Sequence, residues 1–471
     1  MDWRKLIIPF GILLLNLVVK ILFIDATPIG GDEPFTIYYA QHDYGSLFQM
    51  FESENNPPLY TLIMKYWIHF FGIETFSVRL LPLLFSSFAA VVIYKIGCSF
   101  HSNFSGILAA LIFTFSSYHV YFAHESRPYA LFALLTAISM LLFLQVVIQK
   151  RKRRIYLLAL VNILLIYTHF FGFFVLFAQF LAFLLITPIR KELWKPLIIS
   201  WIITFVGYLP YLPLLMSRFG HASGGTWLDS PNLSSLYTNL WKFSNQPVNT
   251  VLFLALLATG LVIWIIQRKG KAKPQYFVLV IWFLVPYLLM FALSFKMPMF
   301  LDRYLVFISI AFYLLIAISV DKIFTNDKIR YVIGIALVAL MIFTCDFKSG
   351  NLRQDDAFVA EIIKHKTDKT AVILCPEWYF MTFSYHYSRE YFADYSSTLD
   401  HLKDDNIYGS TKLYDQNVSI LSGKEHIIFV NTGAEFVDPT GEAEKEILRS
   451  FDLVEKNEEF APFTISYYRR R

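Results

Sequence analysis

The chain has 471 residues, 56% hydrophobic and only 16% charged, with a mean hydropathy of +0.50. Soluble domains carry roughly a quarter charged residues, so the composition excludes an ordinary soluble enzyme. The net charge of +5 gives no sign of a nucleic-acid partner, because the basic residues cluster in short loops between apolar runs.

The first apolar run, 6–24, follows Arg4 and Lys5. It is too long for the apolar part of a secretory signal and no A-x-A site follows it, so it reads as a retained span. Further runs, long enough or nearly so to cross a hydrocarbon core of about 30 Å, lie at 80–97, 104–122, 129–149, 155–168, 172–187, 196–216, 250–267, 275–295, 304–320 and 331–345. The expected fold is therefore a polytopic α-helical membrane protein of about 11 spans. With the N-terminus in the cytoplasm, inside loops hold 18 Lys and Arg and outside segments before residue 346 hold 7, as the positive-inside rule asks.

The loop 25–79 is then external. A loop of about 55 residues usually carries structure and function of its own. It opens with GGDEPFTIYYAQHDY, in which Asp32 and Glu33 precede Pro34. Proline suits the first position of a helix, where a missing N–H is harmless. The stretch 34–51 mixes aromatic and polar residues as an interfacial helix would. Asn55, Asn56, Pro57 and Pro58 break it, and a second surface helix is expected at 59–71, ending at Gly72. Residues 346–471 change character. Charge rises, a helix is expected at 355–365 and another at 442–451, and 371–374 and 426–430 read as short buried strands. That alternation indicates a small extracytoplasmic α/β domain after a transmembrane domain, 1–345. Cys98, Cys345 and Cys375 match no zinc or CxxC spacing, and a Cys345–Cys375 bridge is the less favoured alternative to three free thiols.

Charged groups at membrane depth are costly and usually functional. The topology brings Asp32, Glu33, Glu125, Arg127, His169, Asp302 and Arg303 to the outer side from four separate places in the chain. Each has a plainer explanation. Glu33 could be a simple acid at a helix N-terminus, Arg127 an interfacial anchor or the partner of Glu125, His169 a hydrogen-bonded turn residue, and Asp302 a local partner of Arg303. Taken together they suit chemistry on a lipid-linked phosphate. Arginine grips phosphate bidentately, and an ionised carboxylate can take a proton from a hydroxyl.

The runs GGDEPFTIYYAQ, NNPPLYTLIMKYWIHFFG, SVRLLPLLFS, HESRPYALFALL, YTHFFGFF and FLDRYLVFISIAFYLL resemble, as a set, the bacterial membrane-embedded GT-C glycosyltransferases. The nearest group is the one that includes protein O-mannosyltransferases and lipid A aminoarabinose transferases (glycosyltransferase family 39-like). The resemblance covers roughly 1–345. It implies an inverting enzyme on the outer face of a bacterial cytoplasmic membrane that uses a polyprenyl-phosphate sugar donor and an unidentified hydroxyl acceptor. It implies Asp32 as the base, Glu33 as the acid beside it and Glu125 as a second acidic residue. Arg127, His169 and Arg303, with Asn56, Tyr129 and Tyr304, become the candidates for donor binding. Aminoarabinose transferases carry a lysine where this chain has Asn56, which argues against aminoarabinose as the sugar. No cofactor follows from the resemblance, although a divalent cation held by Asp32 and Glu33 stays open. The competing expectation is a polytopic transporter or lipid flippase, for which inverted repeats and ionisable groups near the bilayer midplane would be expected; no such repeat is visible.

The orientation is directly testable. In a variant free of native cysteines, Thr440→Cys should react with a membrane-impermeant maleimide in intact cells. Labelling only after lysis would reverse the orientation.

Overall fold

The computed structural model describes residues 4–54, 56–222, 230–267, 274–348, 353–414 and 420–471. The chain forms two compact units. One comprises Met1–Ile24, Gln49–Ile63 and Phe76–Gly350; the other comprises Asp25–Phe48, Met64–Thr75 and Asn351–Arg471. The loop 25–79 is thus divided. Its acidic start and the later part of its second helix go with the C-terminal residues, and the proline break goes with the helical unit.

The first unit is a multi-pass helical assembly. Each of the eleven segments expected as spans is helical. Among the described residues, six helices are long and apolar enough to cross a membrane: Thr75–Phe100, Tyr129–Val147, Thr187–Ser217, Pro247–Ile266, Pro274–Leu293 and Asp302–Ile323. Asn103–Thr114 and Ser117–Ala123, bent by 64° where they meet, make a seventh when taken as one span. The other expected segments are shorter helices, Arg4–Ile21, Ile155–Ile166, Gly172–Leu185 and Asp327–Phe343.

Helix Val306–Ile323 is apolar on every side, and a helix of that kind is stable only when enclosed. It is buried along nearly its whole length and packs against Asn103–Thr114, Tyr129–Val147, Pro247–Gln267 and Pro274–Leu293. Some polar groups inside this unit are paired across helices. Ser139, Asn162 and Gln179 close a triangle of hydrogen bonds at 2.6, 3.2 and 2.7 Å. Small residues set the closest crossing: a Cβ on Gly106 would stand 2.5 Å from the Tyr94 carbonyl oxygen and 2.8 Å from the Cys98 amide nitrogen. Backbones approach this closely only where no side chain intervenes.

In the second unit the loop after Ile24 leads into helix Glu33–Gln41. A single helix over 34–51 is not what forms. His42 ends the first helix and Asp43 starts another, Tyr44–Ser53, by accepting from the Gly45 and Ser46 amides at 2.8 and 3.1 Å. Of the aromatic side chains in this stretch, Tyr44 and Phe48 are exposed, whereas Tyr38 packs on protein. Tyr38 meets Phe380 and Phe392, and its hydroxyl donates to the Tyr395 carbonyl at 2.9 Å.

The C-terminal residues of this unit build a mixed five-stranded sheet. The strands are β1 (Thr370–Cys375), β2 (Ile407–Gly409), β3 (His426–Asn431), β4 (Phe451–Asn457) and β5 (Thr464–Arg470), in the order β2-β1-β3-β5-β4. β1 pairs in parallel with β2 and β3, and β5 pairs antiparallel with β3 and β4. Alternation along β1 and β3 sends Val372, Leu374, Ile428 and Val430 to one core, closed by Phe358 and Ile362 of helix Asp355–His365. Ala371, Ile373, Ile427 and Phe429 go to the other core, closed by Ala443 and Ile447. The helix expected over 442–451 ends at Leu448, and Phe451 instead opens β4. The three cysteines are free thiols.

The glycine crossing predicts a stability effect. Gly106→Val should lower unfolding stability by roughly 1–3 kcal/mol, the usual effect of overpacking. Gly11→Ala, where a Cβ meets nothing within 4 Å, should change it little; thermal unfolding of the purified protein in detergent measures both.

Candidate functional site

The candidate residues fall into two groups, one in each unit. In the helical unit, the five residues from His124 to Pro128 connect helices Ser117–Ala123 and Tyr129–Val147. Glu125 and Arg127 are 4% and 7% exposed. The Arg127 amide donates to the Glu125 carbonyl at 2.7 Å, which folds the loop tightly. The Arg127 guanidinium lies 3.5 Å from Glu54 Oε1. The same oxygen accepts from Asn56 Nδ2 at 2.9 Å and from the Asn56 amide at 3.2 Å. Glu54 therefore links Asn56 to Arg127. The sequence reading missed it, although its position two residues before Asn56 was a usable signal.

His169 sits in the turn between helices Ile155–Ile166 and Gly172–Leu185 and is 3% exposed. Its ring stacks on Phe132 at 4.8 Å and on Phe171 at 5.2 Å, with Tyr304 and Tyr129 at 5.6 and 6.1 Å. The Phe171 amide donates to Nδ1 at 3.2 Å. Nδ1 is therefore an acceptor, and in the neutral ring the proton resides on Nε2. Nε2 is buried and has no hydrogen-bond partner among the described residues. Burial, reinforced by the positive charges of Arg127 and Arg303, lowers the imidazole pKa to about 3. Arg127, His169 and Arg303 are thus brought together, with Tyr129 and Tyr304 beside the imidazole. Arg303 reaches this place from the short helix Asp302–Leu305 at the head of the enclosed helix, its guanidinium 5.5 Å from the Tyr304 ring centroid. Asp302 takes the Lys242 ammonium at 2.6 Å and the Arg303 backbone amide at 2.7 Å.

In the second unit, Asp32 is the exposed residue that precedes helix Glu33–Gln41, and its side chain makes no capping bond. Glu33 is fully buried, and Arg353 Nη1 lies 3.0 Å from its carboxylate. The glycines before the acids are shaped by the same neighbours. A Cβ on Gly30 would come within 2.1 Å of Asp355 Oδ2, and one on Gly31, at φ +57°, within 2.9 Å of Arg353 Nη2. The His386 ring holds the Ile29 carbonyl at 2.7 Å. Asp355 is 3% exposed and accepts from the Tyr379 hydroxyl at 3.3 Å. Burial raises its pKa to about 6, partly opposed by Arg353. Neither Arg353 nor Asp355 was anticipated, since no motif surrounds them and they lie more than 300 residues from the turn they approach. Among the described residues, no group of three or more His, Cys, Asp or Glu is placed to hold a metal ion.

Comparison with known proteins adds to this geometry. Residues 55–216 match the family model of dolichyl-phosphate-mannose-protein mannosyltransferases. The matched segment contains Asn56, Glu125, Arg127, Tyr129 and His169 but not Asp32, Glu33, Arg303 or Tyr304. The crystal structure of ArnT from Cupriavidus metallidurans bound to undecaprenyl phosphate superposes with a TM-score of 0.62, over 99% of this chain and 98% of that one, at 11% identity. The fold is that of the GT-C glycosyltransferases. The GT-C likeness extends to the archaeal oligosaccharyltransferase AglB of Archaeoglobus fulgidus, solved with an inhibitory peptide and a dolichol-phosphate. There the TM-score is 0.54 at 10% identity, over 100% of this chain and 75% of that one. The curated proteins contain no significant sequence match.

The raised pKa of Asp355 has a definite sign. The folded carboxyl holds its proton more tightly than the unfolded one, so the contribution is favourable below the ordinary value of 3.8 and is lost as pH rises through about 6. Asp355→Asn should therefore raise unfolding stability at pH 8 by roughly 2 kcal/mol, with the gain disappearing near pH 4; thermal unfolding across that pH range is the measurement.

Proposed function

We propose that this protein is an inverting glycosyltransferase that moves a sugar from a polyprenyl-phosphate donor to a hydroxyl acceptor on the outer face of a bacterial cytoplasmic membrane. The observation that carries the reading is the His169 environment. A buried N–H without an acceptor, beside the positive charges of two arginines, is unfavourable until an anion arrives. A phosphate supplies both the missing acceptor and the opposing charge. The likeness to an ArnT bound to undecaprenyl phosphate and to an AglB bound to a dolichol-phosphate supports a polyprenyl phosphate as its source.

The chemistry assigned to the chain's own groups is then simple. The acceptor hydroxyl gives its proton to Asp32, whose carboxylate is open to solvent, and its oxygen forms a bond to the anomeric carbon. The bond from that carbon to the phosphate oxygen breaks, and the electron pair leaves with the phosphate. Attack opposite the leaving group inverts the anomeric configuration. Arg127, Arg303 and the His169 Nε2–H receive the added negative charge. Donors fixed in place before the reaction stabilise such charge without reorganising. Tyr129 and Tyr304 offer aromatic surface beside these groups, and Asn56 and Glu54 hold Arg127 in place. Glu125, buried in the same loop, is assigned to the catalytic set.

Two variants test the two halves of this assignment. Asp32→Asn should lower sugar transfer in proteoliposomes by about 10²–10⁴-fold while leaving polyprenyl-phosphate affinity nearly unchanged; wild-type turnover would remove the base. His169→Phe keeps the ring stack and loses the donor, and should weaken polyprenyl-phosphate binding roughly tenfold to a hundredfold. Equal binding by variant and wild type would move the phosphate elsewhere.

A further inference from the structure

We infer that Arg353, from the C-terminal part of the chain, is the resident cation of the acidic turn: a positioning residue that keeps Glu33 ionised and leaves Asp32 as the group that accepts a proton. The inference rests on the proposed transferase reading for what Asp32 does, but not for the ion pair itself.

Glu33 is cut off from water, and a carboxylate in that position either protonates or recruits a cation. Arg353 is 3.0 Å away, with its own side chain 14% exposed. The turn is built around this guanidinium. Gly31 adopts φ +57°, and any side chain there would strike Arg353. Gly30 is in contact with Asp355, two residues further on, so a second carboxylate approaches the same turn. Without Arg353, the turn that holds buried Glu33 would face a second buried carboxylate at Asp355, and like charges at close range raise one another's pKa. A base must be unprotonated at working pH, so the acid next to Asp32 needs a permanent positive partner. Arginine suits this because it does not deprotonate. A divalent cation at Asp32 and Glu33 would have to share the Glu33 carboxylate with Arg353.

The C-terminal residues thereby acquire a role in the reaction. They contribute the cation at Arg353 and the wall at Asp355 that shape the turn carrying Asp32.

The test uses the full-length protein. Glu33→Gln, Arg353→Met and the double variant are compared by thermal unfolding in detergent. The double variant should lose no more stability than the worse single one; strictly additive losses would overturn the ion pair whether or not the protein transfers sugar. In the transfer assay, Arg353→Met should lower kcat at least tenfold with donor KM within about twofold, and Arg353→Lys should recover part of the loss. Added guanidinium should restore turnover to Arg353→Met, a rescue that a purely structural defect would not show. Wild-type kcat in Arg353→Met, or a wild-type enzyme that EDTA inactivates and Mn²⁺ or Mg²⁺ restores, would overturn the assignment. Absence of transfer by the wild-type protein with every polyprenyl-phosphate sugar offered would instead remove the transferase reading, and the unfolding comparison would still decide the pair.

Discussion

A carboxylate without access to water stays charged only if a cation is brought to it. Glu33 imposes that constraint on the second unit. It explains why Arg353 lies against a turn more than 300 residues earlier in the chain and why Gly31, which faces that guanidinium, has no room for a side chain. The packing of Tyr38 on Phe380 and Phe392 and the bond from the His386 ring to the Ile29 carbonyl bind the same stretch to the C-terminal residues. A desolvated ion pair is weak evidence for stability in general, because desolvation offsets much of its attraction. Its value here is geometric: it sets the backbone that presents Asp32.

The helical unit meets the opposite condition. Around His169 the desolvated charge is positive, and the imidazole responds by staying neutral, with Nε2–H turned into a buried place that offers it no acceptor. One carboxylate, Glu54, stands at the edge of this cluster and is shared between Arg127 and Asn56. The positive charge beside the imidazole comes from Arg127 and Arg303.

Much of the fold was legible because membrane spans are written as long apolar runs: all eleven such runs are helical, and among the described residues six, or seven with the bent pair, are long and apolar enough to cross a membrane. Helix Asp355–His365 and strands β1 and β3 were legible for a related reason: one is amphipathic with period 3.6, and the others are short runs buried on both faces. β4 was not legible. It lies at the edge of the sheet, and apart from Phe451 at its start it is largely exposed, so FDLVEKN carries no strand pattern. The break at His42–Asp43 was hidden because aromatic residues continue across it, and only Asp43's bonds to the following amides reveal a new helix start.

By itself the sequence determined the membrane class and the positions of the helical segments, and it singled out most of the candidate residues, because hydropathy and unusual charges are local properties. Tertiary structure alone decided the partners. That Arg353 neutralises Glu33, that Glu54 joins Asn56 to Arg127, and that His169 carries its proton on Nε2 between aromatic rings are consequences of burial. Burial brings together groups that are distant in the chain and removes the water that would otherwise have satisfied them.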